Sequence, residues 1–231
     1  MKKIKSIALA LATIGLLLTV SCKKKSDPIP TPVDTAIKDA SGNVYHEVTI
    51  GKQVWLKEDL KTTKYNNGDV IPNEKTTAWS TLTSGAYCIY NNLESNLTDY
   101  GYLYNSFVAT DARGVAPKGY HVATQADWET LMAATGGTIG AGSRLKEAGF
   151  LHWNTTNTAA TNSVGFSAFG GGLRQPSLPA KYINQGDYGY WWTSTPTVLF
   201  LMKAENSSLS IATFTIFAEN YGLSIRCVKD Q

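Results

Sequence analysis

The sequence predicts an α+β domain built mainly from antiparallel sheet, with one or two short helices and long loops. Three observations predict it. Five runs of strand-forming residues between positions 165 and 230 are separated by connections rich in Asn and Gly. Only one segment, opening at Thr124, carries a strong helix-start signal. Twenty glycines, twelve tyrosines and six tryptophans stand in a chain that is only 17% charged, the composition of a turn-rich fold with an aromatic core. About 190 residues remain once the N-terminal segment is set aside, enough for one self-sufficient core. No repeat at periods of 20–50 residues is visible, which sets aside solenoids and propellers.

The first residues read MKKIKSIALALATIGLLLTVSC. A basic start, an unbroken apolar run from Ile7 to Val20 and a small Ser21 before Cys22 make residues 1–21 a signal peptide. The apolar run is too short for a membrane span and ends at a cysteine followed by three lysines. Thr19-Val20-Ser21-Cys22 resembles the lipobox of bacterial lipoproteins, with Thr where Leu is usual, so Cys22 is the expected lipidation site. Residues 22–37 alternate Pro28, Pro30 and Pro32 with short residues, an extended tether. Asp34-Thr35-Ala36 resembles the short O-glycosylation motif of the Bacteroidetes. The expected place is the outer membrane, on the periplasmic face or the cell surface.

Residues 38–231 then form a single domain. Asn43 to Ile50 alternates, turns at Gly51-Lys52 and continues as QVWLKEDL, an opening hairpin. His46 shares a face with Val44, Val48 and Ile50, which makes it a hydrogen-bonded core or edge histidine rather than a ligand. Thr124 and Asp127 have the spacing of a capping box; Trp128, Leu131 and Met132 form one apolar stripe, and Gly136-Gly137 ends the helix. A short second turn is expected from Ser143 to Ala148. Strands follow at 165–174, 189–195, 198–204, 209–216 and 222–230. Successive side chains of a strand point to opposite faces, so Trp191 and Trp192 cannot both face one core: Trp191 is expected inside and Trp192 exposed or loop-covered.

Six of the 21 basic residues lie within residues 1–25 and none of the 18 acidic ones does. The remainder, 15 against 18, carries a formal charge of −3 and no basic footprint for nucleic acid. Two cysteines remain, Cys88 and Cys227, in a compartment where disulfides persist. A disulfide between them would close a large loop; two free buried thiols are the alternative. No CxxC or His-rich cluster supports a zinc or redox site.

Eight segments in order look like the Fibrobacter succinogenes major paralogous domain: IGKQVWLKEDLKTTKYNNGDVIP, AYCIYNN, YGYLYNSFVA, PKGYHVATQADWETL, GSRLKEAG, HWNTTNTAATNSVGFSAFGGGLR, GYWWTST and YGLSIRCVKD. The resemblance spans residues 38–231 and implies a C-type-lectin-like fold, in which N- and C-terminal strands pair and a long looped segment carries the ligand site. Formylglycine-generating enzymes are distant relatives of that group, and Gly222 to Arg226 is loosely similar to their closing strand. Many members carry a cysteine before the proline-glycine step that here reads Ala116-Pro117-Lys118-Gly119. Its absence leaves Cys88 and Cys227 as each other's only intrachain partners in the mature domain.

The resemblance implies little chemistry. A formylglycine-generating enzyme needs a redox-active cysteine pair near its C-terminus, and only Cys227 stands there. His121 and His152 are isolated from any nucleophile elbow, and nothing selects two carboxylates from Asp59, Asp69, Asp99, Asp111, Glu147, Asp187 and Glu205. Calcium-dependent lectins use triplets ending in a carboxylate or amide, whereas Gln175-Pro176-Ser177 and Trp153-Asn154-Thr155 depart from them. No cofactor is expected, a structural calcium being left open. Binding is favoured by aromatic and amide residues on the looped segment, with Trp153, Tyr182, Trp192, Asn220 and Tyr221 as candidate ligand contacts. The leading expectation is a membrane-anchored binding or adhesion module for a glycan or a surface protein, not an enzyme. A structural envelope lipoprotein is the alternative, and a formylglycine-generating-type enzyme the lesser one.

Overall fold

The computed structural model describes residues 36–195, 198–203, 209–213 and 219–231. The expected signal peptide (1–21), the expected lipidation site Cys22 and the expected tether as far as residue 35 therefore lie outside the described residues. The chain divides into two units, Met1–Asp34 and Thr35–Gln231, and the described residues all belong to the second.

Among the described residues there are fourteen short strands: β1 (Ile37–Lys38), β2 (Val44–Tyr45), β3 (Glu47–Ile50), β4 (Gln53–Leu56), β5 (Tyr87–Cys88), β6 (Leu103–Tyr104), β7 (Tyr120–Val122), β8 (Gly171–Gln175), β9 (Lys181–Gln185), β10 (Tyr188–Trp192), β11 (Val198–Lys203), β12 (Leu209–Thr213), β13 (Ser224–Ile225) and β14 (Cys227–Lys229). The α-helices are α1 (Leu97–Tyr100), α2 (Ser106–Ala109), α3 (Gln125–Ala134) and α4 (Gly137–Leu145). The class is α+β with mainly antiparallel pairing, as the sequence predicts.

Two four-stranded sheets organise it, ordered β3-β4-β14-β7 and β12-β11-β10-β13. The opening hairpin forms as expected, Ile50 facing Gln53 across the turn. The last strand, β14, lies inside the first sheet, with Val228 opposite Trp55 and Cys227 opposite Val122. Only the parallel pairing of β10 with β13, Trp191 facing Ser224, departs from the antiparallel rule among the named strands. His46 is an exposed edge residue, held by Glu58 Oε1 at 2.6 Å.

Helix α3 begins where the local chemistry dictates. Thr124 Oγ1 accepts the Asp127 N–H at 3.1 Å, and Asp127 Oδ2 accepts the Thr124 N–H at 2.9 Å, satisfying two otherwise orphaned donors. Its stripe of Trp128 and Leu131 is buried. The Gly136-Gly137 pair does more than end it. Gly136, at φ +107°, caps α4, which starts six residues before the expected turn and ends at Leu145.

The core is divided, and the division explains a misreading of the tryptophan pair. Trp191 packs in a cluster with Trp55, Trp128, Leu131, Trp153 and Phe166, its ring 5.7 Å from that of Trp128. Trp192 faces the opposite side, into a cluster with Tyr104, Leu223 and Ile225, and donates Nε1 to the Tyr104 carbonyl at 2.7 Å. Alternation holds, yet both rings are buried because β10 has a core on each face. Gly189 makes room for this, since a Cβ there would lie 2.2 Å from the Trp191 ring.

The disulfide expected between Cys88 and Cys227 is not formed. Both are free and buried, Cys88 in a small cluster with Trp79, Tyr90 and Leu103, Cys227 in the Tyr104 cluster. Each strand buries its cysteine in a different core, so the two sulfurs serve as small apolar fillers. Burial pushes both thiols above their ordinary range, and Arg174 beside Cys88 offsets this only in part.

Two predictions follow from the packing and its edges. Trp153→Ala and Trp192→Ala should each cost about 3–5 kcal/mol of stability in denaturant unfolding, as buried aromatics do; losses under about 1 kcal/mol would mean that the rings are not core.

His121 bridges Asp230 (Nδ1, 2.8 Å) and Asp127 (Nε2, 3.0 Å). Burial lowers its pKa, but the bonds and charges of the two carboxylates outweigh this and leave it raised. The folded state thus holds the proton more tightly than the unfolded chain, whose His titrates near about 6.5. The stabilisation is complete below that pH and lost as pH rises through the raised folded value. The stability gap between wild type and His121→Gln should accordingly shrink from pH 5 to pH 9; a gap that widens contradicts this.

Candidate functional site

The segments 57–61, 98–99 and 167–169 converge with Arg226 around a cleft of about 350 Å³. Its floor is an ion pair: Arg226 Nε donates to Asp59 Oδ1 at 2.7 Å, with the side chains 1% and 2% exposed. Trp191 Nε1 donates to the same Oδ1 at 2.8 Å. Arg226 Nη1 reaches the carbonyls of Phe166 (3.1 Å) and Leu56 (3.3 Å), while its Cζ sits 4.5 Å over the Phe166 ring. The guanidinium is thereby fixed by two segments far apart in sequence, 56–59 and Phe166. A buried pair of this kind is tolerable only with such additional bonds, because each ion alone costs several kcal/mol to desolvate.

The chain reaches this geometry by local devices. Leu60 N–H bonds the Ile225 carbonyl at 2.9 Å, holding the Asp59 segment against the C-terminal strands. Gly101, at φ +68°, ends α1 against the same segment, where a Cβ would lie 2.7 Å from the Leu60 carbonyl oxygen. On the opposite rim Ser167 takes a left-handed backbone, φ +54°, a costly conformation for a residue with a Cβ. Asn162 holds it there with two bonds of 2.9 Å, from the Ser167 N–H to Oδ1 and from Nδ2 to Oγ.

Beside the cleft, His152 is sandwiched between carboxylates. Nδ1 lies 2.9 Å from Glu147 Oε2, Nε2 lies 3.4 Å from Asp99 Oδ2, and the side chain is 10% exposed. Its ring packs against Phe169 at 4.1 Å, tilted by 30°, and meets Tyr100 edge-on at 5.4 Å. Burial, reinforced by Asp99 and Glu147, pushes the Tyr100 hydroxyl up to about 12. The two carboxylates lie at opposite nitrogens of one ring and do not converge on a common point. Among the described residues no group of three or more His, Cys, Asp or Glu is placed to hold a metal ion.

None of the residues expected to contact a ligand lines this cleft. Trp153 is 2% exposed and donates Nε1 to the Ala168 carbonyl at 2.9 Å; Trp192 is 3% exposed. Both are core residues, because the 152–170 segment and β10 fold inward onto the Trp128 and Tyr104 clusters. Asn220 is buried and donates Nδ2 to the Ser80 carbonyl at 3.1 Å, so its amide binds backbone rather than ligand. Tyr182 is half-buried against Tyr90, its hydroxyl 3.3 Å from Asn92 Oδ1. Tyr221 is half-buried against the Tyr104 cluster. The structure does not bring these five together in one site.

Sequence reasoning missed Lys57, Lys61 and Phe169, and left Asp59 and Asp99 among seven undistinguished carboxylates. Arg226 was visible only as the end of a loosely family-like strand. A signal did exist at Arg226: an arginine inside an otherwise apolar strand must find a buried partner.

The chain matches the model of the Fibrobacter succinogenes major domain over residues 48–229, which includes the cleft floor, both rims and both four-stranded sheets save the edge residue Glu47. No curated protein and no solved structure matches it. Four-fifths of the chain thus carries a single family signature, and the protein belongs to the Fibrobacter succinogenes major domain family.

Proposed function

We propose that this protein is a membrane-anchored extracytoplasmic binding module, held by lipid on Cys22 and binding a glycan or a surface protein through the cleft above Asp59 and Arg226. The observation that carries the reading is the rigidity of that cleft. Its floor is pinned by bonds to Trp191, Leu56 and Phe166, and its aromatic wall, Phe169, is packed against His152. Groups held in place before the ligand arrives lose little entropy on binding, which is what a recognition site requires.

Binding is favoured over catalysis by the placement of the carboxylates beside His152, which sit at opposite nitrogens of its ring and do not converge on one point of the cleft. A structural envelope role has one observation in its favour: the tryptophans expected to form an exposed aromatic patch are interior.

The test uses the full chain expressed in a Gram-negative host. Fatty-acid labelling should fall to background in Cys22→Ala, the protein should leave the membrane fraction, and the wild type should bind at least one class of envelope glycan or protein on an array. Labelling that survives the substitution contradicts the anchor. An array without any hit hands the protein to the structural reading.

A further inference from the structure

We propose that the cleft takes a sugar ring carrying a carboxylate, such as a uronic acid unit of an acidic polysaccharide. The proposal rests on the binding-module reading and names its ligand class. Among the described residues, Asp59 accepts bonds from Trp191 and Arg226 through Oδ1 alone, and Oδ2 has no partner. Arg226 donates to them through Nε and Nη1, and Nη2 has none among them. Both residues line the floor of the cleft. A carboxylate oxygen and a guanidinium nitrogen left over in a nearly buried pair that lines the cleft still have hydrogen-bonding capacity to use. A hydroxyl group uses both, donating to the oxygen and accepting from the nitrogen, and neighbouring hydroxyls of one ring can share the task.

Phe169 supplies the complementary apolar surface. Half-buried and backed by His152, it offers a fixed aromatic wall against which the C–H face of a pyranose packs. A cleft of about 350 Å³ is the size for a small ligand of one or two rings.

Charge decides the class of sugar. Glu58 lies against His46, Asp99 near His152 and Asp59 against Arg226, so each carboxylate at the cleft already has a neighbour to engage it. Among the described residues, Lys61 Nζ is held only by the Thr98 carbonyl at 2.8 Å, and the exposed Lys57 ammonium has neither ion pair nor hydrogen bond. The mouth thus carries two ammonium groups without an ion pair. A ligand carboxylate gains charge-assisted bonds there that a neutral sugar lacks.

The experiment is calorimetric titration of the full chain in a non-glycosidic detergent, comparing an oligogalacturonate with a neutral galacto-oligosaccharide of equal length. The oligogalacturonate should bind roughly tenfold more tightly or better. Lys57→Gln should erase that preference. Phe169→Ala should weaken both sugars by roughly tenfold, as loss of a stacking platform does. Thermal unfolding of each variant, run alongside, should stay near wild type; if Phe169→Ala unfolds, the Lys57→Gln arm decides alone. Equal affinity for both sugars, or a preference that survives Lys57→Gln, overturns the acidic-sugar proposal and leaves the binding module standing. Absence of any binding here, together with a blank array, overturns both.

Discussion

The bond between Asp59 and Arg226 is the constraint on which the rest of the domain depends. The residues lie 167 positions apart, and neither charge is tolerable in the interior without the other. Their pairing therefore forces the segment after β4 to lie beside the segment between β13 and β14. Once it does, Trp191 reaches the same carboxylate oxygen and β10 is drawn against β13. The cluster around Trp55, Trp128 and Phe166 then packs beneath the guanidinium. One electrostatic requirement thus fixes the mutual position of the two large sheets' key strands.

The same pair is also the floor of the cleft, which links stability to recognition. Most of its hydrogen-bonding capacity goes to holding the fold, and what remains belongs to two residues that line the same cleft. The rims are secured by separate devices, Gly101 on one side and the Asn162–Ser167 clamp on the other. His152 is spent in a similar way, its Nδ1 bonded to Glu147 while its ring supports Phe169. Charged side chains here act mainly on one another, and the few atoms left over define what a ligand must bring.

How much of this was legible depended on how local the cause was. The Thr124 capping box, the hairpin through Gly51 and the α+β class follow from short-range rules and appear as expected. The start of α4 does not, because a double glycine reads equally as the end of one helix or the cap of the next. Trp192 was misplaced since alternation assigns opposite faces but says nothing of whether each face is covered. Cys88 and Cys227 were paired by counting, whereas each is placed by the core its own strand faces. The cleft was invisible in sequence for a simpler reason. Its residues come from positions near 59, 99, 168 and 226, and only the tertiary fold makes them neighbours.

A double-mutant cycle on Asp59→Asn and Arg226→Met, read by denaturant unfolding, tests this account most directly. Each single change should cost about 3–5 kcal/mol by leaving its partner buried and unpaired. The double variant should cost far less than the sum, a coupling well above the roughly 0.5 kcal/mol within which independent sites add. Additive losses would show that the pair is a bystander and that the two sheets are held together by something else.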